Sequence, residues 1–353
     1  MINAEDIARL AGVSRSTVSR VVNNYTNVPD ETRRKILRVI EENGYVPHAS
    51  ARLLAGLANK VIGLYIDNRS NYYNYKISNS SFFAPFTTAV IDSANKLGYD
   101  VLVSQHVDNA SFVRFRELFS SRAVSAGIII GTRNDDPRIA TLIEMDFLIG
   151  VIDQAPKARK SPLSDAIIAN FENAEGAGLA VRLLYGLGHR SIAHIRGNKS
   201  IFSGRMRLEG YLDAMNGLGL PCGEEMVCDG DFSEIGGHDA ALSLLGRKNR
   251  PSAIFAANDE SALGALKAAE ELGIRVPEQL SVIGFDNIDA ARYVRPALTT
   301  INTDKHELAA HLTENLLAAL EGKRTVNRNI EIPISIVERD SCAKVPDGFN
   351  SDM

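Results

Sequence analysis

Arg15, Ser16 and Arg20 lie within six residues of one another near the amino end, with Ser14 and Thr17 among them. At the exposed start and middle of a helix, an arginine can give two parallel hydrogen bonds to a guanine edge in the major groove. The same side chains also suit a merely solvated polar face, the ordinary reading of a short isolated helix.

Covalent and metal chemistry find less support. The three cysteines, Cys222, Cys228 and Cys342, are odd in number and lack C-x-x-C spacing, so they build neither a disulfide framework nor a zinc site and read as reduced packing residues. Walker A, G-x-S-x-G and H-E-x-x-H patterns are missing, as is a G-x-G-x-x-G after a strand, and the acidic residues at strand ends have no evident base or metal partner. His189 and His194 read as packing residues around the opening of a strand. No catalytic residue, metal or cofactor is expected.

The elements that must carry the arginines come in quick succession. Asn3, with Asp6 three residues on, starts a capping box, and Ile7, Leu10 and Ala11 recur at helical spacing until Gly12 stops the run. Ser14 caps a second helix over 14–23 that turns Val18, Val21 and Val22 inward, and a third over about 30–43 does the same with Ile36, Leu37, Val39 and Ile40 before Gly44. Helix, tight glycine turn, helix is the outline of a helix-turn-helix. Pro47 then opens an Ala- and Leu-rich stretch to Lys60, a linker or a helix formed only on contact.

From Val61 short apolar runs alternate with helical patterns. The runs at 61–66, 100–104, 126–131 and 147–152 read as buried parallel strands, and the plan repeats at 166–170, 191–197, 226–230, 252–258 and 280–286. Two similar α/β units follow, and ligands of such sheets lie beyond the carboxyl ends of the strands.

The 353 residues fit two or three domains, with 45 % hydrophobic and 23 % charged residues as in ordinary globular chains. The net charge of -4 is uneven: residues 1–60 carry nine Lys or Arg against six Asp or Glu, leaving -7 on the rest, so a negatively charged partner would meet the amino end. No apolar run nears the roughly 18 residues that span a bilayer, and the first six residues lack the plan of a secretory signal, so no membrane contact and a cytoplasmic location are expected.

The run from Asp6 to Asn23, with Ala11-Gly12-Val13-Ser14-Arg15-Ser16-Thr17-Val18-Ser19-Arg20-Val21 at its centre, resembles the helix-turn-helix of the lactose/galactose repressor (LacI/GalR) family. The match continues through Val28-Pro29-Asp30, Asn43-Gly44-Tyr45-Val46-Pro47 and Ala51-Arg52-Leu53-Leu54, and later landmarks carry it over nearly the whole chain. This resemblance implies an all-α helix-turn-helix head followed by a periplasmic-binding-protein-like α/β core of two doubly wound parallel-sheet subdomains. The expected divisions are a head at 1–46, a hinge helix or linker at 47–60, a core at 61–342 and a tail at 343–353. Within the core, about 61–162 with 300–330 would form one subdomain and 163–299 with 331–342 the other.

The resemblance tips Arg15, Ser16 and Arg20 toward base readout, with Ser14, Thr17, Asn23 and Tyr45 as phosphate contacts. Ala51, Arg52 and Leu54 would lie in a minor-groove hinge helix, Leu54 wedged between base steps. The matched core landmarks imply that Arg207, Asn258 and Asp286 hydrogen-bond an effector and that Phe232 stacks on it, a set suited to a hydroxyl-rich ring. Phe82 and Phe83 are further cleft candidates. Before them, residues 68–80 insert Asn71-Tyr72-Tyr73-Asn74-Tyr75 relative to the family, either a lid or a longer surface loop. The implied function is a repressor that binds palindromic double-stranded operator DNA as a homodimer under allosteric control by a small molecule. A sugar or sugar derivative is the expected effector, a purine or other metabolite acting as corepressor the alternative, and a solute-binding receptor the rival class. The tail has no leucine heptad, so no tetramer-forming bundle is expected.

Overall fold

The computed structural model describes residues 2–22, 25, 27–44, 59–67, 80–108, 110–156, 165–323 and 325–345. Asn23, Tyr45, Ala51, Arg52, Leu54 and nearly all of the 47–60 and 68–80 stretches lie outside the described residues.

Among the described residues three helices form the head: α1 (Ala4–Ala11), α2 (Arg15–Val22) and α3 (Asp30–Glu42). The capping box forms, with Asn3 accepting from the Glu5 and Asp6 amides at 2.8 and 3.1 Å while its own amide donates to Asp6. Gly12, at φ +65°, ends α1 in the left-handed conformation that glycine adopts without strain. Ile7, Ala11, Val18, Val21 and Ile36 make the small core. Leu10 and Leu37, read above as inward-facing, are 53 % and 47 % exposed. Three short helices enclose too little volume to bury every apolar side chain at helical spacing.

The core consists of two six-stranded sheets. In the first, β1 (Val61–Ile66), β2 (Asp100–Gln105), β3 (Ala126–Ile130), β4 (Ile149–Ile152), β5 (Ile167–Phe171) and β11 (Asn329–Ile332) run parallel in the order β11-β5-β4-β3-β1-β2. The helices α4 (Phe83–Lys96) and α12 (Lys305–Leu320) cover one face through Val90, Ala94, Leu312 and Leu316, while α5 (Ser111–Ser120) and α6 (Pro137–Glu144) cover the other through Phe115, Phe119 and Leu142.

The second sheet has the order β12-β10-β9-β8-β6-β7, built from β6 (Ile192–Arg196), β7 (Val227–Asp229), β8 (Ala253–Ala256), β9 (Ser281–Asp286), β10 (Thr299–Asn302) and β12 (Ser335–Val337). Its helices are α7 (Asn173–Gly186), α8 (Phe202–Gly217), α9 (Glu234–Leu245), α10 (Asp259–Glu271) and the short α11 (Ala290–Tyr293). The β12 strand runs antiparallel to β10, so this sheet is mixed at one edge.

The subdomain boundaries differ from those expected. The strand at 167–171 belongs to the first sheet, 299–302 to the second and 329–332 to the first, so among the described residues the chain changes subdomain after β5, after β10 and after β11. A buried parallel strand carries the same apolar pattern in either sheet, so hydrophobicity cannot assign it. The core also extends at both ends. Asn59 donates to the Ala123 carbonyl, and residues 343–345 pack back through Ala343 to Ser281 and Val345 to Leu187.

Candidate functional site

Between the two subdomains lies a cleft lined from both sides. All six residues proposed above for the effector, Phe82, Phe83, Arg207, Phe232, Asn258 and Asp286, line it. They are brought together because β-strand ends of both sheets, and the helices that follow them, converge there.

Arg207 is the central cation. It is 4 % exposed, and its guanidinium donates to Asn173 Oδ1 at 2.9 Å, the Ala257 carbonyl at 2.5 Å and Asp286 Oδ1 at 3.2 Å. Its charge lies 3.6 Å from the Phe285 ring centre and 5.7 Å from that of Phe232. The Phe232 ring lies against Gly197, where a Cβ would come within 2.2 Å of its tip. Glycine is therefore required beneath this aromatic platform.

Asn258 does two jobs. Its oxygen caps α10 by accepting from the Ser261 amide, and its nitrogen donates to the Phe232 carbonyl at 3.0 Å, tying the platform to the helix start. Backbone strain gathers in the same place. Of the eight non-glycine residues with positive φ among the described residues, Asp153, Phe232 and Asp286 line the cleft, and Asp231 and Asn287 are their chain neighbours.

Other cleft residues escaped the sequence reading. Asp153, just after β4, accepts from the amide and hydroxyl of Ser203 at 2.6 and 2.9 Å, a contact across the cleft. Glu260 accepts from the Ser81 hydroxyl at 2.5 Å, a second one. Burial pushes both carboxyls above the ordinary carboxylate range, against the pull of those serine hydrogen bonds, and Asp286 adds to the rise. Asn170 donates to the Gln154 carbonyl, which fixes its amide orientation and leaves a buried Oδ1 without a partner in the structure. The position of Asp153 directly after an apolar run was a usable signal. Nothing in the pattern marked Glu260, Asn170 or Ser203.

Behind the cleft, Asp259 accepts from Thr300 and the Ile288 amide, and burial, followed by the charge of Asp286, raises its pKa to about 7. Lys305 donates to the Asp286 carbonyl at 2.8 Å and to Thr303, and burial lowers its pKa. His189 pairs with Ser252 and Ser281, and His194 with the Phe255 carbonyl, outside the cleft lining. The three cysteines are unpaired, and no group of metal-ligating side chains occurs among the described residues.

On the head, α2 exposes Arg15, Ser16, Ser19 and Arg20. Thr17 is half-buried, and its hydroxyl and that of Ser16 meet Ser14 Oγ at 2.8 and 2.7 Å, while the Thr17 amide donates to Ser14 as a helix cap. An exposed polar helix preceded by a glycine turn, followed in the chain by a two-lobed core with a polar cleft, is the outline of a DNA-binding regulator.

Comparison with known proteins places it further. Residues 4–48 match the family of bacterial regulatory proteins of the lacI type, and residues 181–342 match a periplasmic binding protein-like domain. The HTH-type transcriptional repressor PurR of Erwinia tasmaniensis is 34 % identical, the match covering 98 % of each chain. The Lac repressor dimer bound to operator and the anti-inducer ONPF superposes with a TM-score of 0.80 at 29 % identity, over 97 % of this chain and 99 % of the other. The transcriptional regulator CelR in complex with cellobiose gives 0.73 at 27 % identity, over 97 % of this chain and all of the other. The chain belongs to the lacI family of bacterial regulatory proteins and is a transcriptional repressor, not an enzyme. No helix among the described residues is long and apolar enough to cross a membrane.

Proposed function

We propose that this repressor binds palindromic operator DNA as a homodimer and that a sugar or sugar derivative, seated in the cleft, controls its DNA affinity. The observation that carries the effector reading is an excess of acceptors. Arg207, Asn170, Asn173, Asn258, Ser81 and Ser203 each donate to protein acceptors, whereas Asn170 Oδ1 is unpartnered and the cleft holds three carboxylates. A polyol brings a hydroxyl donor on nearly every carbon, and the Phe232 ring offers its apolar face a surface. CelR, which binds cellobiose, is a structural relative. A purine corepressor is the second reading, favoured by the PurR relatives.

Arg15, Ser16 and Arg20 are assigned to base edges and Ser14 and Thr17 to phosphates, since α2 holds the first three in solvent and the other two at its start. One such helix reads a half-site, so two copies are needed. The edge strand β2 supports that pairing. It and the adjoining segment expose Val103, Val107 and Val113, with Val107 79 % exposed, an apolar edge that a second copy would cover.

The test is a thermal-shift screen of the whole chain against sugars, sugar phosphates and purines, followed by binding to DNA that the protein selects from a random pool. A sugar that raises the melting temperature and changes DNA affinity is expected, and DNA must change sugar affinity by the same factor. A shift by purines alone would replace the sugar reading, and equal affinity with and without DNA would remove the allosteric one.

A further inference from the structure

Of the helix amino ends that line the cleft, those of α8 and α10 are already occupied by the chain's own negative charge. At α8, the Asp153 carboxylate from the opposite subdomain takes the Ser203 amide and hydroxyl. At α10, Asp259 and Glu260 fill the first turn, and Glu260 reaches across to Ser81. Helix amino ends are ready anion sites, because their unpaired amides and the helix dipole favour negative charge. At these two ends that capacity is spent within the protein. The one cleft-lining cation among the described residues, Arg207, is paired with Asp286 and held by two further acceptors. Asp153 and Glu260, one on each wall, are the cleft carboxyls that no side-chain cation bonds among the described residues.

We propose that Glu260, assisted by Asp153, is a specificity-determining residue that restricts the cleft to uncharged ligands and rejects phosphorylated or carboxylated ones. This deepens the effector reading above and rests on the cleft being the effector site. An anion about 5 Å from one such carboxylate, at an effective dielectric of about 20, loses on the order of a hundredfold in affinity per pair of unit charges. A hydroxyl meets no such repulsion and can donate to a carboxylate oxygen.

The experiment uses the full chain and matched pairs: glucose with glucose 6-phosphate, and ribose with ribose 5-phosphate, titrated by calorimetry into the wild type and Glu260→Gln. In the wild type any neutral sugar that binds should exceed its phosphate about a hundredfold, and Glu260→Gln should narrow that gap at least tenfold. A sugar phosphate that binds the wild type as tightly as its neutral partner overturns the proposal, as does a gap that Glu260→Gln leaves unchanged. Inorganic phosphate is the second probe and needs no sugar binding. It should leave the melting temperature of the wild type unmoved and raise that of the Asp153→Asn/Glu260→Gln double variant. Absence of a rise in the double variant overturns the proposal. A rise there, with no sugar binding either protein, supports it and overturns only the sugar reading.

Discussion

The head and the cleft each present arginine as the proposed contact to a ligand, yet they hold it in opposite ways. Arg15 and Arg20 stand exposed on a single helix whose other face is the head's small core. Arg207 is buried, bound by acceptors from three separate segments and pressed against Phe285. A recognition side chain in solvent can change without disturbing the fold that presents it. In the cleft, recognition and folding share the same bonds.

The sharpest way to break this contrast is to truncate both arginines. Arg207→Ala should cost about 3–5 kcal/mol of stability, because it leaves Asp286 buried without its partner and strands the Asn173 and Ala257 oxygens. Urea unfolding of the core measures it. Arg15→Ala should stay within about 0.5 kcal/mol of the wild type in the same assay. An Arg207 variant as stable as the wild type would abolish the distinction.

The second prediction moves to DNA, where the order reverses. Arg15→Ala should remove about 1–3 kcal/mol of discrimination at one base pair while leaving other positions unchanged. Binding to a selected site and to its single-base variants reads this directly. Uniform weakening on every sequence would make Arg15 a phosphate contact.

The same contrast explains what could be read without coordinates. The head's candidate face lies on one helix, whose start Gly12 and Ser14 mark, so spacing places Arg15, Ser16 and Arg20 on it and the family resemblance turns that solvated face into a candidate for base readout. The cleft draws on residues from Ser80 to Asp286, joined only when both sheets have formed. Landmark matching named six of the residues that line it. Glu260 sits in the first turn of α10, where a carboxylate is ordinary, and its partner Ser81 is 179 positions away. No local pattern links such a pair. The sheet changes after β5, β10 and β11 were hidden for a related reason, since hydrophobic runs show burial but not which sheet buries them.

A third test separates the regions by pH, since the chain has no histidine before His48. Burial lowers the pKa of His194, stacked on Tyr211 and Phe255, from 6.5 to about 3. Between those values the unfolded chain takes up a proton that the folded one refuses, so this contribution is complete above about pH 6.5 and is lost as pH falls toward 3. Asp259, raised from 3.8 to about 7, acts in the opposite sense: the folded chain keeps a proton that the unfolded one releases, a contribution lost as pH rises through 7. The two partly cancel in the wild type. His194→Phe should therefore retain about 2 kcal/mol more than the wild type on going from pH 7 to 5, each measured against its own value at pH 7. Parallel pH profiles would show that His194 is not the group responsible.

The smallest expected effect probes the head from its far side. Asn3→Ala removes the side chain that accepts the Glu5 and Asp6 amides, which should cost the head about 1 kcal/mol. The helix it caps packs Ile7 and Ala11 against Val18 of α2, so the loss should appear as weaker DNA binding shared equally among sequences. Base choice should be untouched, because no reading side chain has moved relative to its own helix. Sugar affinity in the absence of DNA should be unchanged as well, since Asn3 contributes nothing to the cleft. A change in base preference would mean that the start of α1 sets the angle of α2, and the head would then couple fold to recognition as tightly as the cleft does.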